Sequence, residues 1–242
     1  MRSPLSCAAR RRLSRGALAL FLVAGSAAAD AASVSGNATL TSDYVWRGST
    51  QSDGDPAVQA GLALAADNGA YASLWASSIK FDSTPHASTE VDGVLGWRGQ
   101  WTPDWAWDAN LTRYQYPSAA ALNWTELGAT VTWKQRVWAQ LGWSDDALAS
   151  DSTGTYAQLG ARYPFNERFR VEAAVGHYWL ARSYADSYTH GLVSAVFSLP
   201  SVRQGGPGLE LRLTAHDTDR AAERLFPDMA GTRVEAALQA TF

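Results

Sequence analysis

The chain has 242 residues, with 20 Lys and Arg against 23 Asp and Glu. Its five basic residues before position 30 face no acid there, so the remainder carries 15 basic against 23 acidic residues, or −8. This balance argues against a nucleic-acid partner, which calls for basic patches, and the single Cys7 leaves no disulfide framework.

In chain order, the first expected element is a leader. Arg2, Arg10, Arg11, Arg12 and Arg15 precede an apolar stretch from Gly16 to about Ala24, and small residues run on to Ala29. That order is a secretory signal peptide over 1–29, with cleavage after Ala29 or two or three residues later and a mature start near Asp30. Cys7 lies ahead of the apolar core, where no lipid acylation site falls. No later stretch approaches the roughly 18 apolar residues of a membrane helix.

From Val34 onward, segments of apolar and polar residues in alternation are separated by turn residues, the pattern of barrel strands. They fall at 33–46, 57–66, 70–80, 90–101, 104–115, 123–134, 136–143, 154–163, 168–178, 188–199, 207–217 and 231–242. The last is the clearest: Val234, Ala236, Leu238, Ala240 and Phe242 share one face, and Arg233, Glu235, Gln239 and Thr241 the other. Connections alternate between long, as in Arg47–Pro56 and Thr218–Ala230, and short, as in Asp67-Asn68-Gly69 and Gln135, with the 200–206 turn an exception. The expected fold is all-β, a transmembrane antiparallel barrel of about twelve strands occupying 30–242. A secreted β-sandwich is the competing reading, but it explains neither the loop alternation nor the aromatic terminus.

Aromatic residues gather at strand ends and predict two lipid-facing belts. Trp101, Trp105, Trp133, Trp138, Tyr163 and Phe169 belong to the short-turn end. Tyr44, Trp46, Tyr114, Tyr116, Trp124, Trp143, Tyr156, Trp179 and Tyr188 belong to the long-loop end.

The densest motif is Ser42-Asp43-Tyr44-Val45-Trp46-Arg47-Gly48-Ser49-Thr50-Gln51-Ser52-Asp53-Gly54-Asp55-Pro56-Ala57. On an extended strand Asp43 and Arg47 share a face, which points them into the lumen when Tyr44 and Trp46 face outward. Arg47 then pins the loop through Asp43 or a neighbouring strand, or meets a bound anion. Asp53-Gly54-Asp55-Pro56 reads as turn chemistry, with a Ca²⁺ or Mg²⁺ bridge to lipopolysaccharide as the alternative. The motif resembles the opening of the TorF-like porin family of proteobacteria. The resemblance continues through Gln59, Gly69, Tyr71, Trp75, Ser77, Tyr116-Pro117 and Asn123-Trp124-Thr125-Glu126 to the aromatic terminus. Ser49-Thr50 departs from the family's usual aliphatic residue followed by Ser. The resemblance implies an outer-membrane barrel.

Strand faces place Arg98, Arg162, Arg170, Arg212 and Arg233 in the lumen against Asp92, Asp108, Glu126, Glu172, Glu210 and Glu235, nearly neutral overall. The long loops hold Arg47, Arg182, Arg220 and Arg224 against ten acids, among them Asp145, Asp146 and Asp151, for a net −6. His86, His177, His190 and His216 are not spaced as metal ligands, and no nucleophile motif is present.

The expectation is a passive channel for small hydrophilic solutes, weakly cation-preferring, without enzyme activity, cofactor or metal. Its pore and loop candidates are Asp43, Arg47, Asp53, Asp55, Glu126, Arg162, Arg212 and Glu235, and its assembly signal is Phe242. Expected partners are outer-membrane lipid, lipopolysaccharide and the barrel-assembly machinery. The alternatives are a closed-lumen receptor or structural barrel and, behind it, an outer-membrane enzyme with His177 and His190 flanking one loop.

Overall fold

The computed structural model describes residues 32–81, 86–200 and 206–242. The expected signal peptide and its expected cleavage site, Asp82 and most of the 200–206 turn lie outside these residues. The chain begins with β1 (Ser33–Thr41), then a short inner hairpin of β2 (Val45–Trp46) and β3 (Ser49–Thr50). There follow β4 (Ala57–Ala65), β5 (Ala70–Ser78), β6 (Thr89–Thr102), β7 (Trp105–Gln115), β8 (Trp124–Trp133) and β9 (Val137–Ser144). The circuit ends with β10 (Gly154–Pro164), β11 (Phe169–Leu180), β12 (Tyr188–Leu199), β13 (Gly208–Thr218) and β14 (Arg233–Thr241).

Twelve of these strands form one closed antiparallel barrel, each paired with its barrel neighbour in sequence and β1 closing on β14. Closure satisfies every backbone ladder within the sheet, the condition for crossing hydrocarbon with strands. Two-residue periodicity sets the faces. Val58, Leu62, Leu64 and Leu74 all point outward, Leu74 being 61% exposed, while Gln59, Gly61 and Ala63 between the first three line the interior. A one-residue slip of any strand would turn its apolar row inward and its polar row outward, so the two-residue period ties register to face.

Nearly every expected strand is present within a residue or two of its predicted bounds. The first is the correction: β1 stops at Thr41, and 42–56 leaves the wall and folds inward. The last long loop also contains a helix that alternation does not reveal, α1 (Arg220–Leu225), capped by Asp219 Oδ1 accepting from the amides of Ala221 and Ala222 at 3.0 Å each.

The aromatic belts divide. At the short-turn end Trp101, Trp105, Trp133 and Tyr163 are exposed on the outer face, as expected. Trp138 is inside instead, its indole donating to Gln158 at 3.1 Å. At the long-loop end only Trp143 and Trp179 face out. Tyr44, Tyr114, Tyr116, Trp124, Tyr156 and Tyr188 are buried within the barrel, and Trp46 packs among them.

Candidate functional site

The inward fold of the first long loop follows from a few local bonds. Asp43 accepts from the hydroxyls of Thr50 and Ser52, and its other oxygen meets Arg233 on β14 at 3.4 Å. The amide of Tyr44 donates to Ser52 Oγ at 2.9 Å, and the Thr50 amide donates to Met229 O at 2.9 Å. Trp46 and Ser49 pair across the tip of the β2–β3 hairpin, where Arg47 (φ 46°) and Gly48 (φ 85°) occupy the left-handed region. Positive φ at both central residues is the geometry of a two-residue type I′ hairpin turn. Only glycine fits at 48, because a Cβ there would lie 2.5 Å from Thr218 Cγ2 and 2.7 Å from His190 Cβ.

The turn carries Arg47 across the lumen to Glu126 on β8. Two parallel bonds join them, Nη1 to Oε2 at 2.8 Å and Nη2 to Oε1 at 2.7 Å. The two side chains are only 6% and 7% exposed. Around the guanidinium stand Tyr156, Trp46 and Tyr178, with ring centroids at 3.8, 4.4 and 4.9 Å. Burial works against the cation, but the charge and hydrogen bonds of Glu126 outweigh it and hold Arg47 above its ordinary pKa. Tyr156 is fixed in turn by His190 Nε2 at 2.8 Å, and Tyr114 stacks on Trp124 at 4.3 Å.

This layer divides the interior. Toward the long loops lies a cavity of about 500 Å³, and on the other side one of about 470 Å³, with Trp46 and Tyr114 lining both. The second is polar, lined by Asn110, Thr112, Gln140, Gln158 and His216 among others. Nearer the short turns, one wall carries a charge network: Arg170 bonds Glu210 at 2.5 and 2.8 Å and Glu172 at 2.8 Å, and Arg212 bonds Glu172 at 2.8 Å. Beside β1, β4 and β5 lies about 570 Å³ of open space, lined by Ser35, Asn37, Gly61, Ala63 and Ser73 together with Trp75 and the outward Leu62, Leu74 and Phe242.

Residues 25–232 match a family described as "Bacterial protein of unknown function (Gcw_chp)". The chain belongs to the Gcw_chp family. Among curated proteins no match is found. In fold this Gcw_chp chain is similar to the solved "KdgM porin", with a TM-score of 0.55 at 8% identity over 86% of this chain and 99% of that one. The "KdgM porin in complex with disordered oligogalacturonate" gives 0.53 at 8%, covering 86% and 98%. The NanC porin gives 0.53 at 10%, covering 87% and 99%. At such low identity the likeness establishes the fold alone, a closed antiparallel β-barrel of twelve strands.

The Gcw_chp barrel brings some predicted residues together and separates others. Arg47 and Glu126 form the central pair, whereas Asp43 is held by Arg233 and not by Arg47. Asp53 and Asp55 stand outside the constriction, where Lys80 Nζ bridges them at 2.8 and 2.9 Å; these hydrogen bonds hold its ammonium above the usual value. Arg212 joins the lower network, Arg162 lies 5.3 Å from the Trp138 ring centroid, and Glu235 accepts from Thr41 at 2.8 Å and meets His216 at 3.0 Å. Phe242 lies on the outer face, 71% exposed. Residue type alone assigns the inward tyrosines and Trp124 to the outer belts, and the structure places them in the lumen. Their signal was parity: Tyr114 shares a face with Asn110 and Thr112, and Trp124 with Glu126.

Proposed function

We propose that the protein is a porin-like channel of the bacterial outer membrane, through which small hydrophilic solutes diffuse passively at a constriction made by the first loop. The observation that carries this reading is the pair of cavities, one with polar walls, meeting at a layer one hairpin thick inside a porin-type barrel. The porins it is similar to in fold, and the resemblance of its opening motif to the TorF-like porin family, support the same reading. An N-terminal signal peptide would export the chain, and the barrel-assembly machinery would insert it among outer-membrane lipid and lipopolysaccharide.

The proposed pore prefers cations weakly. Arg47 is withdrawn from the mouth to Glu126, while Asp145 and Asp151 stay exposed in the fourth long loop beside Asp146. An acidic rim concentrates cations, most strongly at low salt where screening is weak. Reversal potentials across a planar bilayer under a salt gradient test this. Cation preference is expected, together with a shift toward neutrality when Asp145, Asp146 and Asp151 are all changed to Asn. Anion preference, or an unmoved reversal potential, refutes the acidic-mouth mechanism.

A second reading is favoured by the buried Arg47–Glu126 pair itself, which spans the interior: a closed-lumen barrel whose outer cavity serves as a receptor surface. Absence of any single-channel conductance would decide for it.

A further inference from the structure

The cavity on the long-loop side of the Arg47 layer has features that a passive pore does not need. Its volume of about 500 Å³ lies within the range of small-ligand sites. Its walls are largely aromatic and apolar, and the rings on the Arg47 side are fixed by their own packing. Trp46 meets Tyr114 and Trp124 edge-on at 6.1 Å each. Phe226 packs edge-on against Tyr188 at 5.7 Å across the cavity margin.

Into this apolar surround the chain places Glu90, the second residue of β6, only 3% exposed. One carboxylate oxygen accepts from the Tyr116 hydroxyl at 3.1 Å; the other meets the Tyr44 side chain and has no hydrogen bond of good geometry. Asp92, two residues on and on the same inward face, also has an unpartnered oxygen. Among the described residues neither acid has an ion pair, in contrast to Glu126, Glu172 and Glu210, each of which meets an arginine. Among the described residues that line the cavity the one basic side chain, Lys80, is committed to Asp53 and Asp55. A carboxylate buried without a cation is costly, and Glu90 is among the residues that line the cavity.

We propose that this cavity binds a small organic amine, its ammonium set against Glu90 and its apolar body among the rings of Trp46, Tyr114, Tyr116 and Phe226. Electron-rich ring faces attract an ammonium as well as an apolar body, so the wall and the acid select the same ligand. Glu90 and Asp228 on the wall disfavour an anion, Asp53 being paired with Lys80. A divalent metal is a poor fit, because it requires six or more oxygen ligands or retained waters; among the described residues no cluster of three or more His, Cys, Asp or Glu is gathered to hold one. This site does not depend on the lumen being open, and its test is separate from conductance.

The experiment is calorimetric titration of the barrel, purified in detergent micelles, with 2-phenylethylamine and with 2-phenylethanol, its neutral counterpart. The amine is expected to bind saturably and at least about tenfold more tightly than the alcohol. Glu90→Gln should bring the two to the same affinity. Equal affinity of amine and alcohol in the unaltered protein, or no saturable binding of the amine, overturns the proposal without reliance on any variant. Undiminished amine binding by a correctly folded Glu90→Gln barrel overturns the role of the carboxylate.

Discussion

Arg47 combines a left-handed backbone, nearly complete burial of a charge and a bidentate partner on a distant strand. Positive φ at a side chain this large costs of order 1–3 kcal/mol and persists only where the surroundings over-determine it. Here Glu126 and three aromatic rings do so. Removing one partner of a buried pair costs about 3–5 kcal/mol, because the other charge remains buried alone. Arg47→Ala should therefore release the β2–β3 hairpin from the lumen while leaving the barrel ladder intact. In planar bilayers its single-channel conductance should rise by about twofold or more as the constriction widens. Gly48→Val should act in the same direction through shape alone, since its side chain would meet Thr218 and His190. Unchanged conductance in both variants would remove the hairpin from the conduction path.

At the scale of elements, the seam between β1 and β14 decides whether the sheet closes. Phe242 completes it: its amide donates to Gly36 O at 3.0 Å and its carbonyl accepts from the Gly36 amide at 2.7 Å. Its ring lies over Gly36, where a Cβ would come within 2.6 Å of the ring edge. The residue thus ends the outward apolar row of the last strand and covers the joint. Deleting Phe242, or replacing it with Asp, should lower the amount of folded barrel several-fold, as read on gels of unheated membranes. Gly36→Val should lower the temperature at which the folded band is lost, because the ring must leave the seam. Wild-type yield in the Phe242 variants would separate closure from the terminal aromatic.

At the scale of the whole molecule, a closed sheet with an apolar outer face has no free edge for detergent or another chain to open. The protein should fractionate with the outer membrane and migrate faster unheated than boiled. Recovery as a soluble periplasmic species would contradict the membrane-spanning reading. The twelve wall strands were legible because alternation is local: each residue's face follows from its neighbours two positions away, and turn residues mark the ends. The inward charges Arg170, Glu172, Glu210 and Arg212 were legible for the same reason. Parity also held the inward aromatics, but Trp and Tyr suit both a lipid interface and a packed interior, so residue type alone misassigns Tyr114, Trp124 and Tyr156. What no local pattern carries is the destination of residues 42–56. The motif supplied the turn, with Gly48 able to adopt positive φ, and it supplied a cation at the tip. Only closure of the barrel brought Glu126, Tyr156 and Tyr178 to the place where that tip arrives, because a pairing between positions 47 and 126 depends on the circumference between them.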